Sequence, residues 1–310
     1  MMKKIIALSL ILFVSVSLFA NGAQETGDKP EIAFSLKTIT NDAFQKAIAD
    51  SVEKSAVAAG AKFTLVTAGQ QTAVSAQVSQ VEDLIAKGVD GIVLSPMDSK
   101  AVIPVLKKAK EAGIPVVLVD QTIEGGNEDL YISYIGTDNF NAGKVGGQTL
   151  AEVLNGKGNV LIVRGANGSS AGDERVDGFK AGIASSNLKI VGEQPGNWAN
   201  DKAMQVTENM LQANSDIQGL FTASDVMLNG ILTALSNAGK DDVEIISVDG
   251  SDDGKDMIKN GEVHGSMAQF PDVMGTKAIE LLMDAINGTL DANVPKYIDS
   301  GTTCITADTL

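Results

Sequence analysis

A strict alternation of short apolar runs with longer segments of helical spacing, sustained from Ile32 to the C-terminus, restricts this chain to an α/β architecture. The apolar run 32–36 is followed by 41–60, in which Phe44, Ile48, Val52 and Val57 recur at helical intervals before a glycine stop. The unit repeats as 63–66 with 78–87, then 91–94 with 101–112, then 116–119. A second series begins at Tyr131. It predicts helices over 142–154, 173–185, 202–213, 227–238, 254–260 and 273–286, with strands at 160–163, 190–191, 219–222, 244–248 and 263–268 and a last strand near Cys304. Runs such as Gly91-Ile-Val-Leu94 and Pro115-Val-Val-Leu-Val119 are apolar on successive residues, hence on both faces of a strand. That is the pattern of central strands in a parallel sheet covered by helices on each side. About a dozen strands are too many for one comfortable open sheet, and 310 residues suit two domains. The expected fold is two doubly wound parallel-sheet domains.

Ahead of the alternation, Met1-Met-Lys-Lys4 carries two positive charges, residues 5–19 are apolar, and Ala20-Asn-Gly-Ala23 supplies small residues. This reads as a secretory signal peptide over 1–23, cleaved after Ala20 or Ala23, with a retained membrane anchor as the alternative. No cysteine directly follows the apolar run, which argues against a lipid anchor. Lys and Arg total 24 against 39 Asp and Glu, a net charge of -15 without any basic run, so nucleic acid is excluded as a partner. The single cysteine, Cys304, and single histidine, His264, leave no internal disulfide and no structural zinc site, and nothing recommends them as a catalytic dyad. An exported acidic protein without disulfides points to the periplasm of a two-membrane bacterium.

Ligands of open α/β sheets bind beyond the carboxyl ends of the strands. Those positions hold Lys37, Asp120-Gln121, Ser224-Asp225, Asp249-Gly250 and Gln269. None forms a phosphate loop, a G-x-S-x-G elbow or an H-E-x-x-H helix, so no catalytic or metal arrangement is expected. The glycine-rich stretch Gly165-Ala-Asn-Gly168-Ser-Ser-Ala-Gly172 reads as a flexible strand-to-helix loop. Any one of the strand-end carboxylates or amides could equally be a helix cap.

Five segments in order, Ser35-Leu-Lys-Thr-Ile-Thr-Asn-Asp-Ala-Phe44, Val117-Leu-Val-Asp-Gln121, Ala171-Gly-Asp-Glu-Arg-Val-Asp-Gly-Phe179, Ile246-Ser-Val-Asp-Gly250 and Ala268-Gln-Phe-Pro-Asp272, resemble the type I periplasmic sugar-binding proteins, nearest to their ribose-binding branch. The resemblance implies two lobes joined by three crossings, near 136–138, near 269–271 and shortly before Asp299. One lobe would combine 29–137 with 271–298, the other 138–270 with 299–310. It also implies a monomeric receptor that needs no cofactor and does no chemistry. Such a receptor captures a neutral carbohydrate (pentose, hexose or polyol) between the lobes and delivers it by hinge closure to a membrane ABC permease. A chemoreceptor or sensor kinase responding to a sugar or furanone signal is the alternative partner.

Carried over by position, the resemblance places Asn41 as a hydrogen-bonding amide and Phe44 and Trp198 as rings against the sugar. Asp120, Arg175, Asp249 and Gln269 become hydroxyl and ring-oxygen partners. Four positions depart from the ribose-binding pattern: Lys37 stands for a small hydroxyl residue, Ala43 for one of two adjacent Phe, Gln121 for an Arg and Ser224 for an Asn. Lys37 and Gln121 therefore move a cationic donor from one wall to another. The expected ligand is a neutral sugar or polyol at least as large as a pentose, with ribose bound weakly or not at all.

Overall fold

In the computed structural model the described residues are 29–310, so the signal segment lies outside them. Each apolar run of the first series becomes a strand and each periodic segment a helix. The order is β1 (Glu31–Leu36), α1 (Ala43–Ala58), β2 (Lys62–Thr67), α2 (Val74–Lys87), β3 (Gly91–Leu94), α3 (Ile103–Glu111), β4 (Val116–Val119) and β5 (Tyr134–Gly136). The second series gives α4 (Asn139–Val153), β6 (Lys157–Arg164), α5 (Ser170–Ile183), β7 (Asn187–Pro195), α6 (Asn200–Ala213) and β8 (Gly219–Thr222). It continues through α7 (Leu228–Asn237), β9 (Glu244–Asp249), α8 (Asp252–Lys259), β10 (Gly265–Gln269), α9 (Pro271–Asn287), β11 (Tyr297–Asp299) and β12 (Thr302–Thr306).

The strands form two six-stranded sheets, ordered β11-β5-β4-β3-β1-β2 and β12-β10-β9-β8-β6-β7. Pairing is parallel throughout except between β10 and β12. Every residue of β3, β4 and β8 is buried, as strands covered by helices on both faces must be. The strand order reverses between β1 and β3 in one sheet and between β6 and β8 in the other. Each reversal opens a crevice at the carboxyl ends of its strands, which is where the polar strand-end residues stand.

The chain passes between the sheets three times. The first passage joins β5 to α4 and the second joins β10 to α9. The third joins β11 to β12 and runs beside the first, with the Ser300 amide donating to the Gly136 carbonyl at 2.9 Å. After the second passage, α9 buries Met274, Ala278, Ile279 and Leu282 with Phe34 and Val93 of the first sheet. Helix ends follow local chemistry: Asp42, Asp138, Ser169 and Ser251 cap α1, α4, α5 and α8 through their side chains. The Asp138 cap starts α4 at Asn139, ahead of the apolar periodicity that predicts 142. β7 is far longer than the predicted 190–191 because pairing with β6, through a register shift at Val160/Leu161, holds its polar residues extended. β5 and β11, three residues each, carry too little periodicity to be read as strands.

Helices α4 and α5 pack unusually closely. A Cβ on Gly143 would lie 2.0 Å from the Arg175 carbonyl oxygen, and one on Gly178 the same distance from that of Phe140. This close approach seats Arg175, one turn into α5, against Asn139 at the start of α4.

Candidate functional site

Between the two sheets lies a cavity lined by Lys37, Asp42, Phe44, Gln45, Gln71, Asp120, Gln121, Ala171, Arg175, Trp198, Ser224 and Asp249. Eight of the ten residues singled out in the sequence are thus brought together. The other two stand next to it. Gln269 donates from Nε2 to Asp249 Oδ1 at 2.6 Å, and Asn41 is exposed in an adjoining cavity of about 310 Å³ that shares Gln71 and Trp198. Ala43 is exposed and does not border the central cavity.

On the first-sheet side, Asp120 follows β4 and its Oδ2 accepts three hydrogen bonds, from Lys37 Nζ (3.1 Å), Gln45 Nε2 (2.9 Å) and Ser95 Oγ (3.0 Å). Its Oδ1 accepts none from the described residues. Burial would raise the Asp120 carboxyl, but the Lys37 ammonium and the Gln45 amide outweigh it and hold the group below the usual carboxylate range. The Lys37–Asp120 pair is all but fully buried, the setting in which losing one partner costs most, roughly 3–5 kcal/mol. Lys37 Nζ also stands 5.7 Å from the centre of the Trp198 ring, a cation–π contact that crosses the cleft. Beside it, Asp42 caps α1 through Oδ1 (2.9 Å to the Gln45 amide N) and accepts from Gln71 Nε2 through Oδ2 (2.6 Å), while burial pushes its carboxyl up.

On the second-sheet side, Arg175 donates from Nε to Asn139 Oδ1 at 2.8 Å and from Nη1 to the Ala223 carbonyl at 2.7 Å, with Asp249 Oδ1 3.6 Å from Nη1. Asp249 Oδ2 accepts from Ser224 Oγ (2.5 Å) and the Asp225 amide (3.1 Å). Burial pushes the Asp249 carboxyl up to about 8 in spite of Arg175, and the Asp225 charge adds to the rise. Asp225 itself is held behind the wall by Ser247, Ser251 and Ser266. It is a support for Asp249 and does not border the cavity.

Trp198 is 7% exposed and belongs to both the second-sheet core and the cavity wall. Its indole fits because Gly165 has no side chain: a Cβ there would sit 2.0 Å from the ring. The glycine-rich stretch expected to be a loose loop is therefore partly a seat for the tryptophan. Backbone strain concentrates at the same place. Among the described residues six non-glycine residues have positive φ, and four of them are the predicted site residues Asn41 (56°), Asp120 (65°), Trp198 (58°) and Asp249 (126°). Such conformations persist where the surrounding structure holds side chains in set directions.

Sequence reading missed Asp42, Gln45, Gln71 and Ser95. One signal could have found Gln45: it occupies the buried stripe of α1 with Ile48, Ala49, Val52 and Ala56, where a polar residue needs a reason.

Residues 32–290 match the model of a family described as periplasmic binding protein domain. The chain is 34% identical over 289 residues to the ribose import binding protein RbsB of Bacillus subtilis, covering 92% of each chain. It is 29% identical to the D-allose-binding periplasmic protein of Escherichia coli, covering 88% of each. Among solved structures, an ABC transporter periplasmic solute binding protein from Actinobacillus succinogenes with bound D-allose superposes with a TM-score of 0.83 at 32% identity, covering 91% of this chain and 99% of the other. The shared architecture, the length of the match and the polar cavity between two parallel sheets lead to one conclusion: this chain belongs to the periplasmic binding protein family.

Proposed function

We propose that the protein is an extracytoplasmic receptor, without enzymatic activity, that captures a neutral monosaccharide or polyol between its lobes and hands it to a membrane ABC permease. The observation that carries this reading is the composition of the interlobe cavity. Carboxylates, amides, an ammonium and a guanidinium are set around its edge, and Phe44 and Trp198 supply apolar plates. A sugar offers donors and acceptors around its rim and C–H faces above and below, so such a wall complements it. Relatives named for ribose import and for D-allose binding support the carbohydrate class.

The lobes are taken as 29–137 with 271–298 and 138–270 with 299–310, hinged at the three passages. As they stand, the walls enclose about 20 Å³, on the order of the room that a single water needs. A sugar ring enters only when the lobes part, and it contacts both walls only when they meet again. That difference in contact is what drives closure. The basic and apolar N-terminal segment supports export to the periplasm. We assign ligand contact to the eight of these residues that line the cavity, Lys37, Phe44, Asp120, Gln121, Arg175, Trp198, Ser224 and Asp249, and supporting places to Asn41 in the adjoining cavity and to Gln269 behind Asp249. Gln121 stands beside Asp120 where a fork of arginine donors would narrow the pocket, which favours a ligand other than ribose.

A thermal-shift screen over pentoses, hexoses and polyols, followed by titration of Trp198 emission, tests the reading. A neutral sugar that raises the melting temperature and alters the emission of the sole tryptophan is expected. A panel in which none does either overturns it.

A further inference from the structure

Three carboxylate–amide pairs are built around the cavity in the same way. Asp120 accepts from Gln45 Nε2, Asp42 from Gln71 Nε2 and Asp249 from Gln269 Nε2, at 2.9, 2.6 and 2.6 Å. In each pair the amide nitrogen faces the acid and the amide oxygen is turned away, and Asp120, held ionised by Lys37, can only accept, which fixes Gln45 in this sense. In all three the amide oxygen is buried and accepts no hydrogen bond; among the described residues only Ser35, Gln80 and Thr207 also leave a buried side-chain polar atom unpaired. Gln45, 3% exposed, and Gln71 line the cavity directly, whereas Gln269 stands behind Asp249. The contrast with Gln77 is instructive. It occupies the buried stripe of α2 as Gln45 does that of α1, yet both its ends are used, Nε2 on the Ser95 carbonyl and Oε1 by the Met97 amide. Gln77 is structural, while Gln45 and Gln71 hold an oriented acceptor in reserve.

We propose that Gln45 and Gln71 form a hydroxyl-reading wall: their oriented amide oxygens each accept a hydrogen bond from a hydroxyl of a neutral, fully hydroxylated monosaccharide. The proposal rests on the carbohydrate reading above and narrows it. A hydroxyl both satisfies a stranded carbonyl oxygen and has room to rotate its proton toward it. A deoxy sugar leaves that oxygen buried and unpaired, and sites built to pair hydroxyls reject such analogues strongly. A sugar acid brings a carboxylate against a wall of acceptors backed by Asp42 and Asp120, with Lys37 already engaged by Asp120. The wall therefore selects against deoxy sugars and sugar acids alike.

The test is calorimetric titration of the wild type, Gln45→Met and Gln71→Met with the best neutral sugar from the panel, its monodeoxy analogues and its uronic acid. Methionine keeps the length of the side chain while removing both its donor and its acceptor. On the wild type, at least one monodeoxy analogue should bind roughly tenfold or more weakly than the parent sugar. In one of the two variants that penalty should shrink to about threefold or less, because the hydroxyl has lost its partner there. This coupling is something a purely structural glutamine would not produce, and the wild-type comparison stands even if a variant folds poorly. If the parent sugar binds and every deoxy penalty is the same in all three proteins, or the uronic acid binds as well as the parent, the hydroxyl-reading wall is wrong. If no sugar binds the wild type, the carbohydrate reading falls and the wall falls with it.

Discussion

Asp249 shows how one residue carries both binding and pH sensitivity. Its carboxyl sits near 8 against an ordinary 3.8, raised first by burial, opposed by Arg175 and raised further by Asp225. A group whose folded pKa exceeds its unfolded one binds more protons in the native state between the two values. Its contribution to stability is complete below about pH 4 and is lost as pH climbs toward 8. The slope of unfolding free energy against pH, from urea titrations between pH 5 and 8, should therefore become shallower in Asp249→Asn. Asp42 and Asp225, also raised by burial, leave a residual slope. An unchanged slope would mean that Asp249 is ionised in the folded protein throughout that range. At this scale the sequence was only partly legible. Asp120, Asp249 and Lys37 stand directly after or at the end of strands and could be picked out by position. Gln45 and Gln77 carry the same signal, a polar residue on a buried helical stripe, and only the three-dimensional partners separate a cavity wall from a structural brace.

Among the elements, α4 and α5 matter most to the site because their close approach fixes Arg175 on Asn139. Gly178→Ala would drive a methyl to 2.0 Å from the Phe140 carbonyl oxygen, and backbone cannot yield as a side-chain tip can. Forcing the helices apart should cost roughly 1–3 kcal/mol, as overpacking does, and weaken ligand binding by displacing the guanidinium. Chemical denaturation with a parallel ligand titration checks both effects. A variant with wild-type stability and affinity would show that the interface relaxes without consequence. Strand and helix alternation was readable because strands buried on both faces have no polar positions to confuse the pattern. The edges were not. β7 is held extended by its partner β6, and β5 and β11 are short segments whose assignment depends on pairing with each other and with β4. Nothing in the local sequence at 165–172 shows that Gly165 is required by a ring 33 positions further along.

For the whole molecule, closure depends on bonds that span the cleft without needing the ligand. Ser170 Oγ, at the start of α5, accepts from the Thr122 amide at 3.1 Å and donates to the Thr122 carbonyl at 3.2 Å. The Ser99 amide donates to the Gly168 carbonyl at 3.0 Å. Ser170→Ala removes the first two. At roughly 0.5–1.5 kcal/mol each, their loss should weaken ligand binding severalfold to about a hundredfold, with the local stability of each lobe unchanged. Equal affinity in the variant would show that closure draws nothing from this clasp. The two-lobed plan itself was legible from the count of strands and the length of the chain. The way α9 returns to the first sheet follows from the second passage, whose position came from family resemblance and not from periodicity.

The most direct measurement of the central claim is calorimetric titration of the wild type, Asp120→Asn and Arg175→Ala with the sugar that most raises the melting temperature. Asp120→Asn keeps the shape of the side chain but halves its acceptors beside Lys37, and Arg175→Ala removes the donor fork of the opposite wall. Circular dichroism establishes that each variant is folded. Binding with one sugar per protein, weakened roughly tenfold to a few hundredfold in each variant, is the predicted result. Wild-type affinity in both folded variants would contradict it, because the sugar would then lie somewhere other than between the lobes.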